Sequence, residues 1–238
     1  MKLSVLIPTK NEAAVMPKTL QALKDQSFGP FEIIVADAGS TDATRAIAES
    51  FGAAVVEGGM PGPGRNRAAK IASGEILLFL DADTVVPVPN FLRDAVMEFE
   101  LRKLDMAAVR LHPETDSKID IALHDVYNAF LTLMEHTHPH GAGCCLFVRA
   151  SAFNAAKGFD EEIVLAEDHD LIQRLHRDGY TYGILDCEPV ITSNRRLDND
   201  GRLLIAARYA YSEYQLLRGR RMTSIPFDYE MGGREKKE

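Results

Sequence analysis

The sequence contains no apolar run long enough to cross a bilayer, no C-x-x-C pair and no excess of basic charge. The run within its opening MKLSVLIPTKNEA lasts only a few residues before Pro8, too short for the core of a secretory leader and far too short for a span. A cytoplasmic protein is expected, with at most a peripheral contact at the inner face of a membrane. Its 3 cysteines, Cys144, Cys145 and Cys187, cannot all pair and lack metal-ligand spacing. Neither a disulfide framework nor a zinc site is expected from them, and they read as buried thiols in a reducing compartment. Lys plus Arg number 27 against 35 Asp plus Glu, a net charge of -8, which argues against nucleic acid as a partner. No Ser- or Gly-rich linker, internal repeat or low-complexity tract interrupts the chain. One domain over 1–231 is therefore expected, with halves at 1–110 and 111–231 and a frayed tail at 232–238.

What is present is ordinary globular composition. Over 238 residues, 46% are hydrophobic and 26% charged, enough to bury roughly 70–75% of the unfolded surface. Short β-branched runs alternate with helix-length segments, the pattern of an α/β fold with a mostly parallel sheet flanked by helices. Strands are expected at Lys2 to Ile7, Glu32 to Ala36, Ala53 to Val56 and Ile76 to Leu80. Helices are expected at Ala13 to Asp25 and Asp42 to Phe51, the second with Ser40 and Thr41 as N-caps. In such sheets ligands bind beyond the carboxyl ends of the strands, so Pro8 to Glu12, Asp37 to Thr41 and Asp81 to Thr84 should share one rim. Further on, helices are expected at Ile119 to Met134, Glu167 to Arg177 and Arg202 to Leu217, and strands at Cys144 to Arg149 and Thr181 to Leu185.

Asp81-Ala82-Asp83 directly follows the strand Ile76 to Leu80. Carboxylates at i and i+2 at a sheet edge repel each other and favour a bound proton or cation, and hard oxygen ligands suit Mg²⁺ or Mn²⁺. By itself the pair is equally an acidic strand-to-loop turn. Its companions are Ile7-Pro8-Thr9-Lys10-Asn11-Glu12, Asp37-Ala38-Gly39-Ser40-Thr41-Asp42, and Gly62-Pro63-Gly64-Arg65-Asn66-Arg67 ahead of a helix. SVLIPTKNEA, DAGSTDAT, GRNRAA and GEILLFLDADT, in this order, resemble the nucleotide-sugar half of the GT-A family 2 glycosyltransferases over roughly the first ninety residues.

The resemblance implies a Rossmann-like GT-A fold and a nucleoside diphosphate-sugar donor, UDP favoured over GDP. Pro8, Thr9, Glu12, Asp37, Arg65, Asp81, Ala82 and Asp83 would line the donor site. Asp37 would lie near the base, Arg65 near base or phosphates, Asp81 near the ribose, and Asp83 on a Mg²⁺ or Mn²⁺ ion. Ala38 replaces the second Asp of the family's usual DDGS, so only Asp37 is carried over. In the second half, GAGCCLFVR followed by Gly158-Phe159-Asp160-Glu161 resembles the strand leading into the family's GGFDE, with Lys157 at the first glycine. Gly143 would let acceptor or donor sugar approach the backbone. In Leu165-Ala166-Glu167-Asp168-His169, Asp168 would be the general base of an inverting transfer, with Glu167 and His169 in the acceptor or donor-sugar pocket. Arg195 and Arg196 read equally as a solvated turn or, as in the family, as cations over the diphosphate.

His136, His138 and His140 alternate in HTHPHG. Pro139 and Gly141 make this a loop, which rarely aims three imidazoles at one point, so a structural or acceptor-pocket role is favoured over metal ligation. The last helix ends in Arg218, Arg220 and Arg221; its apolar stripe reads as core, with attachment at an anionic membrane surface as the alternative. The acceptor is open among a glycan, a lipid phosphate and a small molecule. A nucleotidyltransferase would share the carboxylates and the metal, but the Gly-rich basic signature near the first strand is missing; a module that binds nucleotide-sugar without turnover would not need Asp168.

Overall fold

Each apolar run of the first half becomes a strand of one mixed sheet, and the helices between them cover its two faces. In this computed structural model residues 2–218, 220–224, 227 and 232 are described, so all of the expected frayed tail except Gly232 lies outside the described residues. In chain order the elements are β1 (Leu3–Thr9), α1 (Met16–Lys24), β2 (Phe31–Asp37), α2 (Thr44–Ser50), β3 (Ala54–Glu57), α3 (Pro61–Ile71), β4 (Ile76–Leu80), β5 (Thr84–Val85) and α4 (Phe91–Leu101). There follow β6 (Met106–Pro113), α5 (Lys118–Met134), β7 (Cys145–Arg149), α6 (Ala150–Ala155), α7 (Glu167–Arg177), β8 (Tyr182–Thr192), α8 (Arg195–Asp200) and α9 (Arg202–Leu217).

The strand order is β3-β2-β1-β4-β7-β6-β8-β5. β1 runs parallel to β2 and β4, β2 to β3, and β6 to β8, whereas β7 is antiparallel to β4 and β6, and β5 to β8. Because β7 inserts between β4 and β6, the sheet is continuous across the two expected halves. One face packs Leu20, Leu23, Phe91 and Phe99 against β1 and β4. The other packs Phe79, Phe153 and Phe159 with Leu171 and Leu175 of α7. Phe79 meets Phe159 edge-on at 4.9 Å and Phe153 at 5.2 Å, which fastens the segment before α7 to the middle of the sheet.

Several details depart from the sequence reading. β1 continues through Pro8 to Thr9, because parallel pairing with β2 reaches Thr9 opposite Asp37. The start of α2 is served by Asp42, whose Oδ1 accepts the Thr44 N–H at 2.9 Å; Ser40 turns instead toward Asp37 and Asn11. Gly62 to Arg67 lies inside α3 rather than ahead of a helix, since Pro61 at its start needs no N–H partner. α4 and β6 have no counterpart in the sequence reading. Lys157, where the family carries glycine, adopts φ 61°, followed by Gly158 at φ 75°. The left-handed backbone accounts for the family's glycine, and here a lysine bears the strain.

Candidate active site

Hydrogen bonds tie the strand-end loops into one rim. The Ala38 N–H donates to the Thr9 carbonyl at 2.9 Å, the Asn11 N–H to Ser40 Oγ at 2.8 Å, and the Thr41 N–H to Asn11 Oδ1 at 2.8 Å. Pro8 and Thr9 are buried beneath this lattice. Asp37, 5% exposed, accepts the Ser40 hydroxyl and N–H, so its carboxylate is oriented by its own loop. The β4 end is held by Ala82, whose carbonyl accepts the Thr19 hydroxyl at 2.9 Å, and by the turn in which the Thr84 N–H reaches the Asp81 carbonyl at 3.1 Å. Asp81 and Asp83 thus leave a short, anchored turn.

Both carboxylates are engaged by guanidinium groups, contrary to the open pair that the sequence suggested. Arg65 donates to Asp81 Oδ1 at 2.8 Å, to Glu167 Oε1 at 2.6 Å and to the Gly143 carbonyl at 3.2 Å. Its side chain is 4% exposed and stacks over Phe159 at 5.6 Å. Expected beside base or phosphates, Arg65 instead joins the β4 turn to the start of α7. Arg195 bridges Asp83 Oδ2 at 2.8 Å and Glu12 Oε2 at 2.9 Å. Arg196, exposed in the first turn of α8, adds a favourable charge to Asp81.

The charge balance follows from this packing. Asp81 keeps 35% of its side chain exposed; even so, burial lifts its carboxyl above the usual range, Arg65 opposes that and Asp83 adds to it. Burial likewise lifts Glu12, with Arg195 opposing it and Asp83 and Asp81 reinforcing it. Glu12, Asp81 and Asp83 form a patch of carboxylates, the charge of Asp83 raising the proton affinity of the other two, and such oxygens suit a hard divalent cation. Of the two members that Arg65 does not hold, Asp83 is the more exposed, 29% against 9% for Glu12, and Arg195 pairs with both.

Across the cleft, Ala166 takes a left-handed φ of 59° and starts α7 with Glu167, Asp168 and His169. Asp168 Oδ2 accepts the Gly143 N–H at 2.5 Å and Oδ1 the His169 N–H at 2.9 Å. A Cβ on Gly143 would lie 2.7 Å from Asp168 Oδ2 and 3.2 Å from Arg65 Nη2. The close approach that Gly143 permits is therefore made by Asp168 itself. Burial raises Glu167, Arg65 opposes it, and Asp168 adds to it. His169 is buried, with 9% exposure. Two groups beside this site were not among the expected site residues. Cys144, whose thiol burial and the charges of Asp81, Asp83 and Asp168 push well up, lies among the carboxylates, and Tyr127 of α5 is raised by burial and by Asp168.

Residues 4–156, from β1 through α6, match the sequence family described as Glycosyl transferase family 2. The chain belongs to glycosyl transferase family 2. Within the family it is 25% identical over 206 residues to the O-antigen chain rhamnosyltransferase RfbN of Salmonella typhimurium, covering 76% of this chain and 62% of that one. It is 32% identical over 121 residues to the poly(ribitol-phosphate) β-N-acetylglucosaminyltransferase TarS of Staphylococcus aureus, covering 47% of this chain and 21% of TarS. The chain thus spans less than two thirds of either relative. In three dimensions it resembles TarS in complex with UDP, with a TM-score of 0.64 at 22% identity over 81% of this chain and 60% of that one. It also resembles the mannosyltransferase PcManGT of Pyrobaculum calidifontis in complex with GDP-Man and Mn²⁺, with a TM-score of 0.66 at 21% identity over 80% of this chain and 56% of that one. These likenesses establish the GT-A architecture of the family-2 domain.

Proposed function

We propose that this family-2 domain is a metal-dependent inverting glycosyltransferase that takes a sugar from a nucleoside diphosphate-sugar, UDP before GDP, to a hydroxyl or phosphate oxygen of an acceptor. The observation that carries the proposal is the juxtaposition made by Arg65: one guanidinium joins Asp81 of the β4 turn to Glu167 at the start of α7, beside Asp168. Donor-side carboxylates and a candidate base face one cleft.

In this reading Asp37 accepts from the base, Thr9 and the rim loops seat the nucleoside, and Asp81 orients the ribose. Asp83 holds Mg²⁺ or Mn²⁺, which when bound neutralises the departing diphosphate. Asp168 removes the acceptor proton as the acceptor oxygen bonds to the anomeric carbon and the bond to the diphosphate breaks. A single displacement inverts that carbon. Gly143 and His169 hold the Asp168 carboxylate in a fixed orientation through backbone N–H groups. The relatives' names include an O-antigen chain rhamnosyltransferase and a poly(ribitol-phosphate) β-N-acetylglucosaminyltransferase, and a glycan, a lipid phosphate and a small molecule are the acceptor classes of this proposal. Among the described residues no helix is long and apolar enough to cross a membrane; a peripheral contact at the inner face remains part of the proposal, supported by exposed Ile119, Leu123 and Val126 on α5.

The test is a thermal-shift panel of UDP- and GDP-sugars with and without Mn²⁺. A rise in Tm that requires nucleotide and metal together is expected, larger for UDP; no rise with any nucleotide at any metal concentration overturns the proposal. Arg195 yields a second prediction. As a resident cation on Asp83 and Glu12 it competes with the metal, and it also faces the diphosphate. Arg195→Gln should therefore tighten Mn²⁺ binding without nucleotide by about 3–10-fold, the scale of a partly exposed ion pair, and raise the donor KM. Calorimetric titration and steady-state kinetics check both, and unchanged Mn²⁺ affinity would remove the competing role.

A further inference from the structure

His140, in the loop before β7, is 1% exposed, and His169 in the first turn of α7 is 9% exposed. Glu213 reaches them from α9, with 25% of its side chain exposed. One ligand atom from each lies within 4.8 Å of the others. His140 Nε2 is 2.9 Å from Glu213 Oε2, and His169 Nδ1 is 3.7 Å from Glu213 Oε1. The two imidazoles meet edge-on with centroids 5.1 Å apart.

The tautomer of His140 follows from its other nitrogen. Nδ1 contacts the His138 carbonyl oxygen, which only accepts, so Nδ1 carries a proton and Nε2 is the nitrogen that faces Glu213. Among the described residues His140 Nε2 and Glu213 Oε2 have no partner but each other, and His169 Nδ1 and the buried His138 Nε2 make no hydrogen bond. Buried acceptors that face one another need either a proton or a cation between them.

We propose that His140, His169 and Glu213 bind one divalent transition-metal ion, Zn²⁺ by its donor chemistry, at a site separate from the Asp83 carboxylate patch. Ligand bonds of ~2.0–2.1 Å in tetrahedral array separate neighbouring donor atoms by ~3.3 Å, so the three donors, within 4.8 Å of one another, would draw together on an ion. Two imidazole nitrogens and one carboxylate oxygen suit Zn²⁺ better than Mg²⁺, which prefers oxygen alone.

Cysteine spacing pointed to no zinc site, and the HTHPHG loop alone does not make one; α7 and α9 complete it. The ion would clamp α9, already fastened at its start by the Arg202 fork on Asp120, to the helix that carries Asp168.

The experiment uses the full chain carrying Asp83→Asn, so that the carboxylate patch does not report, after removal of metals by chelation. Titration with Co²⁺ should give one equivalent with the visible absorption of a low-coordinate ion, displaced by Zn²⁺. Zn²⁺ at a hundredfold excess over Kd should raise Tm by roughly 5–10 °C. Adding Glu213→Gln or His140→Asn should weaken Co²⁺ binding by at least ~10–100-fold. Glu213→Gln conserves size at a partly exposed position, so its metal-free Tm shows that the fold persists, and it carries the test if His140→Asn fails to fold. A protein that takes up no Co²⁺, or a Glu213→Gln variant that binds as tightly as its parent, overturns the proposal and leaves the cluster a protonated ion pair.

Discussion

Replacing Asp168 by asparagine is expected to lower kcat by about 10²–10⁴-fold, or roughly 3–5 kcal/mol of transition-state stabilisation, while the donor still binds. The prediction separates two roles for one side chain. Acidic residues in a first helical turn offset the macrodipole, worth about 0.3–1 kcal/mol each in stability; a purely structural Asp168 would shift Tm slightly and leave turnover intact. A base touches the acceptor proton, so its loss falls on kcat. Asparagine keeps an oxygen for the Gly143 or His169 N–H, which limits disruption of α7. Measured kcat in Asp168→Asn at the wild-type value, with nucleotide-dependent stabilisation retained, would remove Asp168 from the chemistry.

The second large effect is expected at Asp83. Asp83→Asn should reduce kcat/KM by about 3–4 kcal/mol, roughly 10²–10³-fold, because a diphosphate leaving without its divalent ion keeps its charge in a site already lined with carboxylates. It should also abolish the part of the nucleotide-induced Tm shift that depends on Mn²⁺. The internal ion pair with Arg195 makes this a demanding test. If Asp83 serves only as a counter-ion for Arg195, Asp83→Asn will leave the Mn²⁺ dependence of nucleotide binding unchanged and the metal assignment falls.

The elements that could be read from sequence are those whose pattern is local. Ile76–Leu80 is a fully buried strand bounded by Gly74 and Asp81, and both ends agree with the expectation. Glu167–Arg177 agrees as well, acidic at its start, basic at its end and apolar along one face. Arg65 shows where local reading stops. GPGRNR read as a basic segment ahead of a helix, but the helix already starts at Pro61 and turns Arg65 inward onto partners from β4 and α7. α4 and β6 are ordinary amphipathic and buried segments that carry no motif, and only packing assigns them.

By itself, the sequence determined the order of the βα units, the rim on which Asp37, Asp81 and Asp83 emerge, and the helix whose first turn carries Asp168. Those features rest on strand periodicity, helix termini and residue spacing, all short-range. Tertiary structure alone decided that Arg65 and Arg195 neutralise the carboxylates, that Gly143 makes room for Asp168, and that His140, His169 and Glu213 meet. Such contacts join residues far apart in the chain. They form only when β7 enters the sheet between β4 and β6 and brings the loop before it, α7 and α9 to one side, and no spacing along the sequence encodes that distance.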